Sequence, residues 1–178
     1  MMPKFKLMLE LRHFVLVNIT MRREFIYKKI ETDDEIAGAK KLIIEYTEWL
    51  NQDLSFQDID DELRHFPKKY SEPDGSFIIA KDGTLTVGCV GFRKLEENIC
   101  EMKRLYVIDA YKGMGIGKIL VEKIIAEAAQ KNYKKMRLDT INTMKAALNI
   151  YYQSGFYEIE AYYHNPHDNI VYLEKELL

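Results

Sequence analysis

The chain has little cysteine: two residues, Cys89 and Cys100, in 178. Each sits inside an apolar, strand-like run, which argues against a disulfide scaffold and fits a reducing, cytoplasmic setting. It also lacks an excess of either charge. Lys and Arg number 26 against 28 Asp and Glu, a formal net charge of −2, with no block of one sign. That balance offers no electrostatic footprint for nucleic acid or for an anionic membrane surface. Nor is there the uninterrupted apolar run of about 20 residues that a transmembrane helix requires. The nearest approach, "MMPKFKLMLELRHFVLVNIT", is broken by Glu10, Arg12 and His13 and is followed by no small-residue cleavage site. Residues 1–22 are read as an N-terminal arm or extra strand, or as sequence preceding a start at Met21. Prolines number only four, and no linker, repeat or low-complexity tract divides the remainder. Residues 23–178 are therefore expected to form one domain, a comfortable size for a single core.

What is plentiful is patterned sequence. "EFIYKKI" reads as a strand, and Thr32 to Glu35 is a capping box ahead of a helix that runs to about Leu50. "SFQDIDDELRHF" gives a second helix, stopped by Pro67. The stretch from Ser76 to Val107 reads as three strands joined by an Asp82-Gly83 turn and a Glu96-Glu97-Asn98 turn. Connections this short exclude crossover helices, so the three strands must be antiparallel neighbours. Further on, "IGKILVEKIIAEAAQK" is a helix with Ile116, Leu120, Ile124 and Ala128 on one face. "KKMRLDT" is a buried strand, "MKAALNIYYQSGF" a helix closed by Gly155, and "YEIE" and "NIVYLEKEL" are the last strands. The order predicts an α/β domain of the α+β type: a mixed, mostly antiparallel twisted sheet of six to seven strands flanked by about four helices.

One stretch demands a chemical reason. "KGMGIGK" places Gly113, Gly115 and Gly117 at a helix start, although each glycine inside an element costs roughly 0.5–1 kcal/mol relative to alanine. A ligand that must approach the main chain supplies such a reason. Two phosphate loops fail the comparison. A Walker loop would need a glycine where Lys112 stands and a hydroxyl where Ile119 stands. The dinucleotide fingerprint would need its third glycine at Lys118. Asp139, at the end of a strand about twenty residues on, suits that fingerprint, but an antiparallel meander precedes the loop.

A third pattern, K/R/Q-x-x-G-x-G/A, fits Lys112 to Gly117, and Tyr151-x-x-x-Gly155-Phe156 follows at the end of the later helix. With these two motifs in order the chain, from about Phe25 to Leu178, resembles the GNAT superfamily of acyl-CoA N-acyltransferases. The resemblance implies that the amides of Gly113, Met114, Gly115, Ile116, Gly117 and Lys118 cradle the pyrophosphate of acetyl-CoA, as a helix N-terminus can. Lys112 and Lys118 add positive charge. It implies too that the main chain of Leu105, Tyr106 and Val107 pairs with the coenzyme's pantetheine arm like an added strand. Where the family often carries an Asn that bonds this arm, Met144 stands here; Asn142 or Thr143 substitutes for it, or caps the helix.

The implied reaction is attack of an amine on a thioester. An alkylamine of pKa ~10.4 costs about 4.6 kcal/mol to neutralise at pH 7, so a base is useful. Glu101 is either that base or a strand glutamate paired with Lys103 or Arg104, with water carrying the proton instead. Tyr151 matches the family tyrosine whose hydroxyl faces the coenzyme sulfur; as a phenol it can protonate or hydrogen-bond the leaving thiolate. Its other reading is core packing, and both can hold together. No cysteine lies near the implied thioester, which favours direct transfer in a ternary complex over a covalent relay. Trp49, Asn51, Phe56 and the "AYYHNPHDN" segment are expected around the acceptor. His164, His167 and Asp168 are ordinary turn chemistry, and no metal is expected. The expected activity is an acetyl-CoA-dependent N-acetyltransferase acting on a primary amine of a small molecule, amino acid or peptide. A non-catalytic acyl-CoA-binding sensor is the rival reading. Partners are expected to be acetyl-CoA and the amine, with homodimer formation left open and neither nucleic acid nor membrane involved.

Overall fold

The computed structural model describes residues 23–50 and 59–177. The proposed N-terminal arm, Asn51, Phe56 and the start of the second helix lie outside the described residues. The elements are β1 (Ile26–Lys29), α1 (Asp33–Leu50), α2 (Ile59–His65), β2 (Ser76–Asp82), β3 (Leu85–Glu96) and β4 (Ile99–Val107), followed by α3 (Ile116–Gln130), β5 (Lys135–Ile141), α4 (Lys145–Gln153), β6 (Tyr157–Ile159) and β7 (Ile170–Glu176). They make one seven-stranded sheet in the order β1-β2-β3-β4-β5-β7-β6, antiparallel throughout except where β4 meets β5. The short turns do make β2, β3 and β4 an antiparallel meander, as their length requires. β7 returns between β5 and β6, a placement that periodicity alone does not give.

The start of α1 shows how local chemistry fixes an element. Glu35 N–H donates to Thr32 Oγ1 at 3.3 Å, while Glu35 Oε2 accepts from the amides of Glu31 at 3.0 Å and Thr32 at 3.3 Å. The box thus closes in both directions. A hydrogen bond from Lys28, with those two amides, outweighs the cost of burial and holds the Glu35 carboxyl down at about 2. Because its folded pKa is depressed, Glu35 contributes stability that is complete above about pH 4.5 and is lost as pH falls toward 2. The urea midpoints of the parent and a Glu35→Gln variant, well separated at pH 7, are therefore expected to converge as the pH is lowered through that window.

The sheet separates two cores. On one face α3 and α4 bury Ile116, Leu120, Val121, Ile124, Ala128, Leu148 and Tyr151 against Val90, Phe92, Met102, Met136 and Leu138. On the other, α1 and the segment after α2 bury Ala39, Leu42, Ile43, Phe66 and Tyr70 against Phe77, Ile79, Cys89 and Tyr106. Both cysteines are buried within the sheet as free thiols. No helix among the described residues is long and apolar enough to cross a membrane.

β4 carries the distortion that matters. Cys89 faces Tyr106 and Gly91 faces Lys103, so the single residue Val90 opposes both Arg104 and Leu105. This is a β-bulge, which bends a strand and re-aims its side chains. Arg104 takes a φ of 61°, a left-handed conformation that costs roughly 1–2 kcal/mol outside glycine. In consequence Arg104 stays on the α1 face beside Lys103, while Leu105 turns to pack against the α3 core. A buried ion pair fixes the distortion: Arg104 Nε and Nη2 donate to Glu62 Oε1 and Oε2 at 2.8 and 2.9 Å, and Tyr70 O–H donates to the same carboxylate at 2.9 Å. Burial opposes the Glu62 charge, but Arg104 outweighs it and holds the carboxyl below its ordinary value.

Candidate active site

β4 and β5 run parallel and pair only over Ile99–Glu101 and Lys135–Arg137. Beyond that point, where the bulge bends β4, the strands part and a gap opens through the sheet. A pocket of about 70 Å³ occupies it, walled by Met102, Lys103, Arg104 and Leu105 of β4, Leu138, Asp139, Thr140 and Ile141 of β5, Tyr46 and Leu50 of α1, Met144, Ala147 and Tyr151 of α4, and Asn165, His167 and Ile170 near β7. Helices from both faces of the sheet thus reach one cavity.

The glycine loop lies at the end of β4, at the N-terminus of α3. Gly113 and Gly115 have φ of 80° and 81°, and a Cβ at either would meet nothing within 4 Å. Backbone conformation requires glycine there, and the open space leaves the amides approachable. Gly117 differs: its φ is ordinary, and its absent Cβ leaves α3 close to Ile150 of α4, at 3.4 Å. Gly115 is the N-cap of α3 with no side-chain cap, and only Ile119 N–H returns to its carbonyl, at 3.2 Å. The amides of Ile116, Gly117 and Lys118 precede the first possible partner within the helix and point outward with the positive end of its dipole. A phosphate-sized anion fits this cradle. Lys112 leans away from it: Nζ lies 4.4 Å from the centre of the Trp49 ring and 2.5 Å from Asp109 Oδ1. Lys118 is exposed, 3.9 Å from Glu122.

Tyr151 projects from α4 into the pocket, its ring edge-on to Phe156 at 5.9 Å. Its hydroxyl has no hydrogen-bond partner among the described residues. Burial, with smaller contributions from Tyr46 and Asp139, pushes its pKa up, so the phenol stays protonated. Core packing and a free hydroxyl coexist here.

Glu101 is 2% exposed and does not line the pocket. Its Oε2 accepts a hydrogen bond from Arg93 Nε at 3.0 Å and lies 2.9 Å from Arg93 Nη2, and its Oε1 accepts from Tyr162 O–H at 3.0 Å and lies 3.2 Å from the Lys103 ammonium. Two hydrogen bonds and two ion-pair contacts thus surround the carboxylate. Lys103 also spans the mouth of the gap, donating to Asp139 Oδ1 at 2.7 Å. Burial disfavours the Asp139 charge, yet Lys103, Tyr163 and Arg104 together hold its carboxyl below the usual range.

Leu105 lines the pocket, whereas the Tyr106 side chain lies on the α1 face and donates to Glu45 Oε1 at 3.1 Å. Because the β4–β5 ladder stops at Glu101, the main chain of Leu105, Tyr106 and Val107 stands outside it. Asn142 is exposed, donates its backbone N–H to Asn169 at 2.8 Å, and is not a pocket wall; Thr140 and Met144 are. No side chain caps α4. His167 walls the pocket, and no group of His, Cys, Asp or Glu among the described residues is arranged to hold a metal ion.

A gap between parallel strands beside a bare-amide loop is the arrangement the sequence resemblance implies, and comparison with known proteins decides the matter. Residues 42–156 match the Acetyltransferase (GNAT) family. The chain belongs to that family. An N-acetyltransferase of Schizosaccharomyces pombe is 38% identical over 83% of this chain and 92% of its own length. One from Dictyostelium discoideum is 33% identical over 82% and 96%. Among solved structures, a GNAT acetyltransferase of Staphylococcus aureus superposes with a TM-score of 0.72 at 21% identity, covering 87% of this chain and all of that one. An aminoglycoside 6'-N-acetyltransferase solved with coenzyme A gives a TM-score of 0.66 at 13% identity, over 86% and 97%. As a GNAT acetyltransferase the protein uses an acyl-CoA donor and an acceptor.

Sequence reasoning missed several residues of this GNAT pocket and of the hydrogen-bond network behind it. Tyr46 was visible only as one apolar position of a helix. Asp139 was weighed for another cofactor. Tyr162 and Tyr163 stood undivided within an aromatic segment. Glu62 and Arg104 gave no local signal, since their pairing spans 42 residues of sequence.

Proposed function

We propose that the protein transfers an acetyl group from acetyl-CoA to a primary amine of a small molecule, amino acid or peptide, by direct attack of the amine in a ternary complex. The observation that carries this reading is the gap between β4 and β5, with the free amides of Ile116, Gly117 and Lys118 in the loop that follows β4 and the unpartnered Tyr151 side chain lining the pocket in the gap. Bound there, the coenzyme supplies a thioester, and the chain's own groups do the rest. The loop amides hold the pyrophosphate, and the free main chain of β4 at Leu105 to Val107 takes the pantetheine arm. A volume of about 70 Å³, roughly the share of two waters in the liquid, suits a short acyl group.

Tyr151 faces the departing sulfur. With its pKa raised, it stabilises the thiolate chiefly by donating a hydrogen bond, because a proton held that firmly is reluctant to transfer outright. Direct transfer is supported by the thiols. Burial pushes both Cys89 and Cys100 up to about 12, which leaves neither as a ready nucleophile. Of the two readings of Glu101, the paired one is favoured by its two hydrogen bonds and its contacts with the Arg93 and Lys103 cations. It holds Lys103 and Tyr162 in place, and the amine loses its proton through water.

A thermal-shift titration tests the whole. Acetyl-CoA at 100 times its dissociation constant is expected to stabilise the protein by about 2.7 kcal/mol. At 2–4 °C per kcal/mol, Tm should rise by roughly 5–10 °C. NAD at the same concentration should leave Tm unchanged. Thiol release should then appear with members of a primary-amine panel. Stabilisation by NAD in place of acetyl-CoA would overturn the assignment.

A further inference from the structure

Two phenols, not one, open into the pocket without a partner. Tyr46 comes from α1 on one face of the sheet and Tyr151 from α4 on the other, and the β4–β5 gap is what lets them meet. Neither hydroxyl has a hydrogen bond among the described residues, and neither is an occluded orphan, since the sealed, unsatisfied side-chain oxygens are those of Tyr27 and Ser76. Both side chains line the cavity, and both phenols feel the charge of Asp139 in its wall. The Tyr46 ring is held rigidly, 6.4 Å from Trp49 with an interplanar angle of 26° and 5.7 Å from Tyr106 at 51°. Burial raises its pKa, keeping the oxygen neutral, and Arg104 and Asp139 are its nearest charged influences.

Attack on the thioester leaves one requirement that Tyr151 and the loop do not meet. The amine must present its lone pair to the carbonyl, which fixes the directions in which its N–H bonds point. A neutral phenol oxygen at the end of a rigid ring can accept one of those N–H bonds. On the face of the sheet that carries α3 and its loop the pocket is walled by α4, and on the other face by α1, so with the coenzyme at the loop the α1 side is left for the acceptor.

We propose that the Tyr46 hydroxyl accepts a hydrogen bond from the acceptor amine and orients it for attack. The assignment rests on the acetyltransfer reading above and adds to it a group that touches the second substrate. The contact is already made when the amine binds and tightens somewhat as positive charge develops on the nitrogen, so losing it should chiefly raise the KM for the amine, with a smaller effect on kcat.

The test is steady-state kinetics of Tyr46→Phe, with thiol release measured against ethanolamine, glycinamide and a short peptide, and the fastest of the three taken forward. Loss of one ordinary hydrogen bond predicts roughly a 3- to 10-fold higher KM for that amine. The KM for acetyl-CoA should be unchanged and kcat within about twofold. An undiminished acetyl-CoA thermal shift confirms that the variant is folded. An unaltered amine KM, or a loss confined to kcat, would overturn the role of Tyr46 while leaving the acetyltransfer reading intact. No thiol release by the parent protein with any of the amines would overturn both.

Discussion

Glu62→Ala is expected to lower the unfolding free energy by about 3–5 kcal/mol, because it takes from a buried guanidinium its bidentate carboxylate. Arg104 is 6% exposed, its carboxylate partner only 1%. For a chain of this size that loss corresponds to a fall in Tm of roughly 6–20 °C, measurable by calorimetry. Two forces compound. The guanidinium loses its bidentate carboxylate, and Tyr70 O–H loses its acceptor. The β4 bulge also loses the interaction that offsets its left-handed backbone. Removing both charges should hurt less: a Glu62→Leu, Arg104→Met double variant is expected to recover part of the stability, since an apolar pair avoids the desolvation cost of a buried ion pair. A double variant less stable than Glu62→Ala would contradict this account of the triad.

Tyr151→Phe is expected to lower kcat by about 10²-fold, some 2.7 kcal/mol of barrier, with little change in the KM for acetyl-CoA. The phenyl ring keeps the packing on Phe156 and the α3 core, so stability should hold. What disappears is the hydroxyl proposed to donate to the departing sulfur. Glu101→Gln provides the contrast. If Glu101 chiefly anchors Arg93, Lys103 and Tyr162, the amide should cost stability and only about tenfold in kcat. A Tyr151→Phe enzyme with full kcat would remove Tyr151 from the chemistry. A Glu101→Gln enzyme as impaired in kcat as Tyr151→Phe, at unchanged stability, would restore Glu101 as the base.

Much of the fold could be read directly. Period-two runs and tight turns gave the β2–β4 meander, Thr32 and Glu35 gave the start of α1, and Gly155, at φ 86°, marked the end of α4. The loop was legible because glycine is the residue that tolerates the backbone of positions 113 and 115 without strain. The gap was not. Nothing in "CEMKRLYV" announces that Arg104 adopts a positive φ, since no glycine or asparagine marks the spot. The bulge is stabilised instead by Glu62, 42 residues earlier. Likewise the sequence leaves Glu101 either a base or a glutamate paired with Lys103 or Arg104, until Arg93, from the neighbouring strand, and Tyr162, from the segment before β7, are brought to it by folding. Side chains whose roles depend on partners from other elements lie beyond periodicity, however clear the elements themselves.

The chain contains a single tryptophan, Trp49, and the fold sets it at a junction. Half-exposed at 49%, it stacks on Tyr46, which opens into the pocket, and takes Lys112, the first residue of the glycine loop, over its ring at 4.4 Å. Its indole emission therefore comes from one known place, touching both the glycine loop and a helix that walls the pocket. The protein carries a built-in optical reporter between that loop and the pocket, with no label to be introduced.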